Sequence, residues 1–129
     1  MLMDTDVCVE LLRGNKRVIE RRRKVADDVA VSFMTVGELF YGAERSSRPA
    51  RNRELVERFL LSVTCLQSDR PLMGKFGALK SELAARGEML PDADILIAAT
   101  ALTWSGSLVT GNTAHFARFA GLTLMDWTR

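Results

Sequence analysis

Histidine is nearly missing from this chain: of 129 residues, only His115 carries an imidazole. That excludes mechanisms built on a histidine cluster or on two histidine metal ligands. The two cysteines, Cys8 and Cys65, lie far apart in apolar stretches. They match neither a zinc-ligand spacing nor a disulfide scaffold, so buried free thiols are expected. No P-loop and no G-x-G-x-x-G pattern is present, which sets aside nucleotide-driven motors and kinases. No G-x-S-x-G turn offers a nucleophilic serine. Apolar runs stop well short of the ~18 residues that span a bilayer. The first residues lack the basic and apolar pattern of a signal peptide. Together these absences predict a cytoplasmic, reduced protein with no membrane association.

An excess of charge is missing too. Eighteen basic residues face 16 acidic ones, a net charge of +2, too balanced for nucleic-acid binding by bulk charge alone. What is present is an ordinary globular mixture. With 47% hydrophobic residues the chain can build a core, and its length suits a single domain covering residues 1–129.

Punctuation by glycine and proline divides the chain into alternating elements. Strands are predicted at residues 1–3, 29–33, 62–66, 107–110 and 122–125. Helices are predicted at 6–13, from an Asn15 cap to about 25, and at 35–44, 50–61, 71–86, 91–105 and 112–119. Strands separated by helices indicate an α/β fold with a mainly parallel sheet, in which strand C-terminal ends share one edge. Ligand sites in such sheets gather at that edge.

Acidic and amide side chains fall at those strand ends and helix starts. Asp4 ends the first strand, Glu38 lies in the first turn after the second, Asp92 and Asp94 open the helix at Pro91, and Asn112 follows the strand 107–110. Each also has a plain structural use. Asp4, Asp92 and Asn112 suit helix caps, Asp94 suits a helix dipole, and Glu38 closes a capping box with Thr35. Gathered at one edge, however, they repel, and a divalent cation neutralises them directly. Oxygen ligands without histidine favour Mg2+ or Mn2+ over zinc, and such a centre suits phosphate-ester chemistry. Asp92 and Asp94 are two residues apart and do not share a helix face. Asp94 is therefore the expected ligand, and Asp92 a cap or a residue outside the ligand set.

Four segments in order resemble one family. They are Leu2-Met3-Asp4-Thr5-Asp6, the stretch Val36-Gly37-Glu38-Leu39-Phe40-Tyr41-Gly42-Ala43, the stretch Pro91-Asp92-Ala93-Asp94-Ile95 and on to Ala101, and Leu108-Val109-Thr110-Gly111-Asn112-Thr113-Ala114-His115-Phe116. Together they resemble the signatures of PIN-domain proteins, specifically the VapC-type toxins of bacterial toxin–antitoxin pairs. The resemblance covers essentially the whole chain. It implies a PIN-like α/β sandwich, with a parallel central sheet flanked by helices, and a Mg2+- or Mn2+-dependent endoribonuclease. It places the metal-binding acids at Asp4, Glu38 and Asp94, and the fourth polar position at Asn112, where many relatives carry an acid. Asp92 then becomes a source of the missing charge, and Thr113 an additional hydroxyl. Asp6 stands where many relatives have asparagine. The implied reaction is in-line attack of a metal-activated water on an RNA phosphodiester, with Asn112 orienting a water or a ligand. His115 is expected to turn outward on its short helix.

Basic residues cluster in two stretches: seven between Arg13 and Lys24, including Lys16, and a second set at Arg45, Arg48, Arg51 and Arg53. They read either as a solvated face or as a phosphate-contacting rim around the acidic edge. Phe40, Tyr41, Leu55, Phe59 and Leu60 are expected mostly in the core. The resemblance also implies a cognate antitoxin covering that region, and a homodimer. Two other readings compete. Asp4-Thr5-Asp6 is close to the opening of haloacid-dehalogenase-like phosphatases, although Cys8 stands where their pattern has Thr or Val. A catalytically inactive PIN-like module would keep the fold and use the basic rim for RNA or protein.

Overall fold

The computed structural model describes residues 1–25 and 28–129. Its elements in chain order are β1 (Leu2–Met3), α1 (Thr5–Leu12), α2 (Lys16–Lys24), β2 (Ala30–Ser32), α3 (Phe33–Glu44), α4 (Pro49–Leu60), β3 (Thr64–Leu66), α5 (Arg70–Arg86), α6 (Asp92–Trp104), β4 (Ser107–Val109), α7 (Thr113–Phe116) and β5 (Thr123–Met125). All five strands are parallel, in the order β3-β2-β1-β4-β5. The expected α/β architecture is therefore present, element for element, with boundaries moved by a few residues.

A two-residue periodicity builds two cores. Leu2, Ala30, Leu66, Leu108 and Leu124 face one side of the sheet, with Leu83, Ile95, Ile97 and Phe116 packed against them. Their immediate neighbours Met3, Val31, Cys65, Val109 and Met125 face the other side, with Val7, Val18, Leu39 and Val56. A parallel sheet covered on both faces needs this continuous apolar strand character. Neither cysteine is in a disulfide. Burial pushes the thiol of Cys8 up, which leaves it an inert core residue. Among the described residues no helix is long and apolar enough to cross a membrane.

Strand order positions the site. From β1 the chain steps outward through β2 and β3, then returns to the other side of β1 as β4 and β5. The crevice between β1 and β4 is the switch point where open α/β sheets bind ligands. The chain leaving the ends of β1, β2 and β4 opens onto it. Helix α6 precedes β4 and runs back against it, so its first turn lies at the same edge.

Local capping differs from the sequence expectation at two places. Helix α3 begins two residues earlier than predicted, because Ser32, the last residue of β2, caps it: Ser32 Oγ accepts from Thr35 N at 3.1 Å. Thr35 is then buried inside the helix, the Thr35–Glu38 capping box does not form, and Glu38 lies in the second turn. At α6, Pro91 rather than Asp92 takes the cap position, with no side-chain cap bond. Asp92 is in the first turn, where the helix dipole favours it, and points outward to Lys80 Nζ at 2.9 Å.

Candidate active site

Asp4 is the centre of the site. It follows β1, caps α1, and is only 6% exposed. Its Oδ1 accepts from Thr5 N at 2.8 Å, and its Oδ2 accepts from the Thr110 hydroxyl, also at 2.8 Å. Thr110 Oγ1 in turn accepts from Asn112 N at 2.9 Å. One hydroxyl thus ties the end of β1 to the loop leaving β4.

Asp4 is held against its electrostatic preference. Burial pushes its carboxyl up from the ordinary value of 3.8 to about 7, and the charge of Asp6 pushes the same way. The bonds from Thr110 and Thr5 offset part of the rise, and Asp94 adds further repulsion. Asp6 is raised as well, chiefly by burial. Its Oδ2 accepts from Gly111 N at 2.9 Å, while its Oδ1 is buried without a hydrogen-bond partner. A Cβ on Gly111 would stand 2.9 Å from that Oδ2 and 3.3 Å from Thr128 Oγ1, so this loop position needs glycine for close approach. Asp6 thus puts a second carboxyl beside Asp4, and it also anchors the β4–α7 loop.

Glu38 and Asp94 are tied to the surroundings of Asp4 by different partners. Glu38 Oε1 accepts from the Thr5 hydroxyl at 2.7 Å, and Thr5 Oγ1 lies 3.0 Å from the buried Thr35 hydroxyl. With one proton, Thr5 donates to Glu38 and accepts from Thr35. Asp94, with a half-buried side chain, has its Oδ2 at 3.3 Å from His115 Nδ1. Asn112 Nδ2 stands 2.8 Å from the same Nδ1.

His115 therefore turns inward, against the sequence expectation. Helix α7 has only four residues; Phe116 anchors it in the core, and His115, the residue before it, meets Asn112 and Asp94. Asn112 occupies the cap position of α7 but makes no side-chain cap bond, because its amide goes to His115. Thr113 is exposed on the first residue of α7. Asp92, engaged with Lys80, is turned away from Asp4.

Thr5, Thr35 and Thr110 are functional supports that residue-type reasoning passed over. Thr5 had a signal, since it directly follows Asp4. The other two are linked to the site only by the sheet. Of the basic candidates, Arg13, Lys16, Arg45 and Arg48 are all exposed. Arg13 is 3.6 Å from Glu10. Arg13 and Glu38 also line a groove of about 350 Å³ between α1, α3 and α4, walled by Leu12, Leu39, Leu55 and Val56.

Does this donor set suit a hard divalent cation? Asp4, Asp6 and Glu38 have no Lys or Arg partner within 4 Å among the described residues, and Asp94 meets only His115. The buried acidity at Asp4 is left uncompensated by protein charge. Among the described residues no three Asp, Glu, His or Cys side chains close on one point. Mg2+ does not require that, because it keeps several waters and uses one or two carboxylates directly. The all-oxygen acids with an orphaned buried Asp6 oxygen fit such an ion, with Asp4 and Asp94 as the pair that already feel each other's charge.

Comparison with known proteins agrees with this geometry. The PIN domain family model matches residues 1–122. The ribonuclease VapC2 of Haemophilus influenzae is 33% identical over 127 residues, covering 98% of this chain and 96% of that protein. The tRNA(fMet)-specific endonuclease VapC of Shigella flexneri is 30% identical over 128 residues, covering 98% and 97%. In the crystal structure of DNA-bound VapBC from Salmonella typhimurium, one chain superposes with a TM-score of 0.91 at 31% identity, over 98% of this chain and 96% of that one. Sequence, strand order and the acidic switch point agree: the chain belongs to the PIN-domain family, in its VapC ribonuclease branch.

Proposed function

We propose that this protein is a Mg2+- or Mn2+-dependent endoribonuclease that hydrolyses RNA phosphodiester bonds and is held inactive by a cognate antitoxin. The observation that carries the reading is Asp4: a buried carboxyl pushed to about 7 at the sheet's switch point, crowded by Asp6 and Asp94 and, among the described residues, without a Lys or Arg partner within 4 Å. Such an arrangement is costly as a structural device and useful as a cation site. Asp4 and Asp94 would hold the ion, with Glu38 engaging it directly or through water. A divalent cation, when bound, supplies Lewis acidity toward a phosphoryl oxygen and makes a water acidic enough to act at neutral pH.

The remaining chemistry belongs to the chain. Thr110 and the Thr5 N–H orient both oxygens of Asp4. The Thr5 hydroxyl fixes the rotamer of Glu38. Asn112 presents an amide beside Asp94 through which a water can be oriented, and His115 positions that amide. Exposed Arg13, Lys16, Arg45 and Arg48 supply the phosphate-contacting rim that an acidic centre needs to hold a polyanion.

Partners follow from the relatives. Structural neighbours are complexes of VapB with VapC, as in the Salmonella typhimurium structure. The groove between α1, α3 and α4, apolar along its walls and with Glu38 in its lining, suits an apolar segment of an antitoxin that would cover the site. A cytoplasmic homodimer is part of the same proposal.

The test is cleavage of an RNA pool by partner-free protein with Mg2+, Mn2+ or EDTA, beside Asp94→Asn. Metal-dependent cleavage that disappears in the variant supports the proposal. Absence of cleavage, or cleavage that survives the substitution, favours the catalytically inactive module. Release of phosphate from small monoesters with an acid-labile phosphoryl group on Asp4 would favour the phosphatase.

A further inference from the structure

We propose that Tyr41 forms a base-stacking subsite for one unpaired nucleotide of the RNA strand whose phosphodiester reaches Asp4 and Asp94. The inference rests on the ribonuclease reading above. Tyr41 is the chain's only tyrosine and, contrary to the core role expected for it, is 68% exposed.

Its place on α3 is specific. Glu38, Tyr41 and Arg45 are spaced i, i+3 and i+7, one stripe of the helix, so an acidic centre, an aromatic ring and a guanidinium follow one another along it. By helix rise, Tyr41 lies roughly 4.5 Å beyond Glu38, and Arg45 roughly 10 Å beyond it. Side chains on a helix lean over the turn N-terminal to their own Cα, so the tyrosine ring leans back toward the sheet edge that carries the acids.

The surface around the ring is bare. Gly37, one turn earlier, and Gly42, the next residue, are both exposed. Neither has positive φ, and a Cβ added at either would meet nothing within 4 Å. Neither glycine is required by backbone conformation or by crowding, yet each costs helix stability relative to alanine. Gly37, on the face of Tyr41, leaves its flank open to a flat partner, while Gly42 lines the neighbouring groove.

The charge around the ring favours a nucleic acid over a protein. Arg45, Arg48 and Arg51 follow Tyr41 from the end of α3 into α4, are exposed, and have no carboxylate within 4 Å among the described residues. The neighbouring Arg53 and Arg58 are already paired with Glu44 and Glu54. Uncommitted guanidiniums beside an exposed ring match alternating phosphates and a base, the chemistry of single-stranded RNA recognition.

The test compares partner-free wild type with Tyr41→Ala, Tyr41→Phe and Gly37→Leu on total bacterial tRNA with Mg2+, each variant checked for an unchanged thermal midpoint. Once the cleaved RNA is known, oligonucleotides carrying 2-aminopurine at each position flanking the cut are bound to Asp94→Asn. Tyr41→Ala is expected to raise KM by roughly 5- to 150-fold, the usual range for one stacked base, with a smaller change in kcat. Tyr41→Phe restores KM because it keeps the ring, Gly37→Leu raises KM, and one 2-aminopurine position loses its fluorescence only when the ring at 41 is present. Equal KM in wild type and Tyr41→Ala overturns the subsite while leaving the ribonuclease reading intact. That outcome, combined with weakened antitoxin binding, would assign the ring to the protein partner. Absence of cleavage by wild type overturns both readings.

Discussion

The two flanks of Asp4 are built from different materials. On the β2 side, Glu38 is fixed by a relay of hydroxyls, Thr35 to Thr5 to Glu38, around a 2.7 Å bond. On the β4 side, Asp94 meets an imidazole and an amide that compete for one atom. His115 Nδ1 is 2.8 Å from Asn112 Nδ2 and 3.3 Å from Asp94 Oδ2. It accepts from the amide when it carries no proton and donates to the carboxylate when it does; it cannot do both. The first flank is preorganised by its hydroxyl relay. The second has two arrangements. The site therefore has one rigid jaw and one adjustable jaw.

Four substitutions sharpen or break this comparison. Removing the carboxylate of the adjustable jaw, Asp94→Asn, has the largest expected effect: loss of cleavage by at least about a hundredfold, measured on a defined RNA with Mg2+.

Next comes the carboxyl between the jaws. Asp4 has a folded pKa of about 7 against 3.8 unfolded, so the unfolded chain ionises first as pH rises. Its contribution to stability is then present at low pH and lost between about pH 4 and 7. Metal-free protein should lose roughly 2–4 kcal/mol from this group across that window, read from urea midpoints. Asp6 acts in the same direction. Asp4→Asn should flatten the profile, and Mg2+ should restore stability at pH 7.5 to the wild type alone. A wild-type profile that is already flat would remove the claim of buried, uncompensated acidity.

Third, Thr5→Val strips the rigid jaw of its relay and leaves the Glu38 oxygen and the Thr35 hydroxyl without their partner. It should cost about 1–3 kcal/mol by chemical denaturation, with Thr5→Ser close to wild type. The smallest effect is expected at His115→Ala, less than about tenfold in cleavage, because the imidazole only positions the Asn112 amide and the Asp94 carboxylate stays in place without it. If His115→Ala is as damaging as Asp94→Asn, the imidazole takes part in the chemistry and the two-jaw description fails.

Much of this molecule was legible in its sequence. Strands read well because they are short apolar runs between helices whose ends are marked by Gly14, Pro49, Gly87, Pro91 and Gly106, and a parallel sheet buried on both faces leaves little polar interruption. The placing of Asp4, Glu38 and Asp94 near one sheet edge was legible because strand ends and the helix turns beside them converge in such a sheet, and because the four motif segments carried a family resemblance. What was hidden depends on tertiary partners. His115 turns inward to meet Asp94, 21 residues away, and the Asp6–Gly111 bond joins residues 105 apart. The Ser32 cap was hidden because a strand residue serves the next helix without an intervening loop, so the Thr35–Glu38 pattern offered a more regular but incorrect helix start.

The central claim is that crowded carboxyls at the β1–β4 crevice form a cation site. Calorimetric titration of partner-free protein with Mn2+ at pH 7, in two buffers of different ionisation enthalpy, tests it most directly. The account predicts saturable binding whose heat depends on the buffer, because the cation displaces the proton that Asp4 partly retains at that pH, and loss of both features in Asp94→Asn. No saturable binding by the wild type, or binding unchanged by Asp94→Asn, would contradict it.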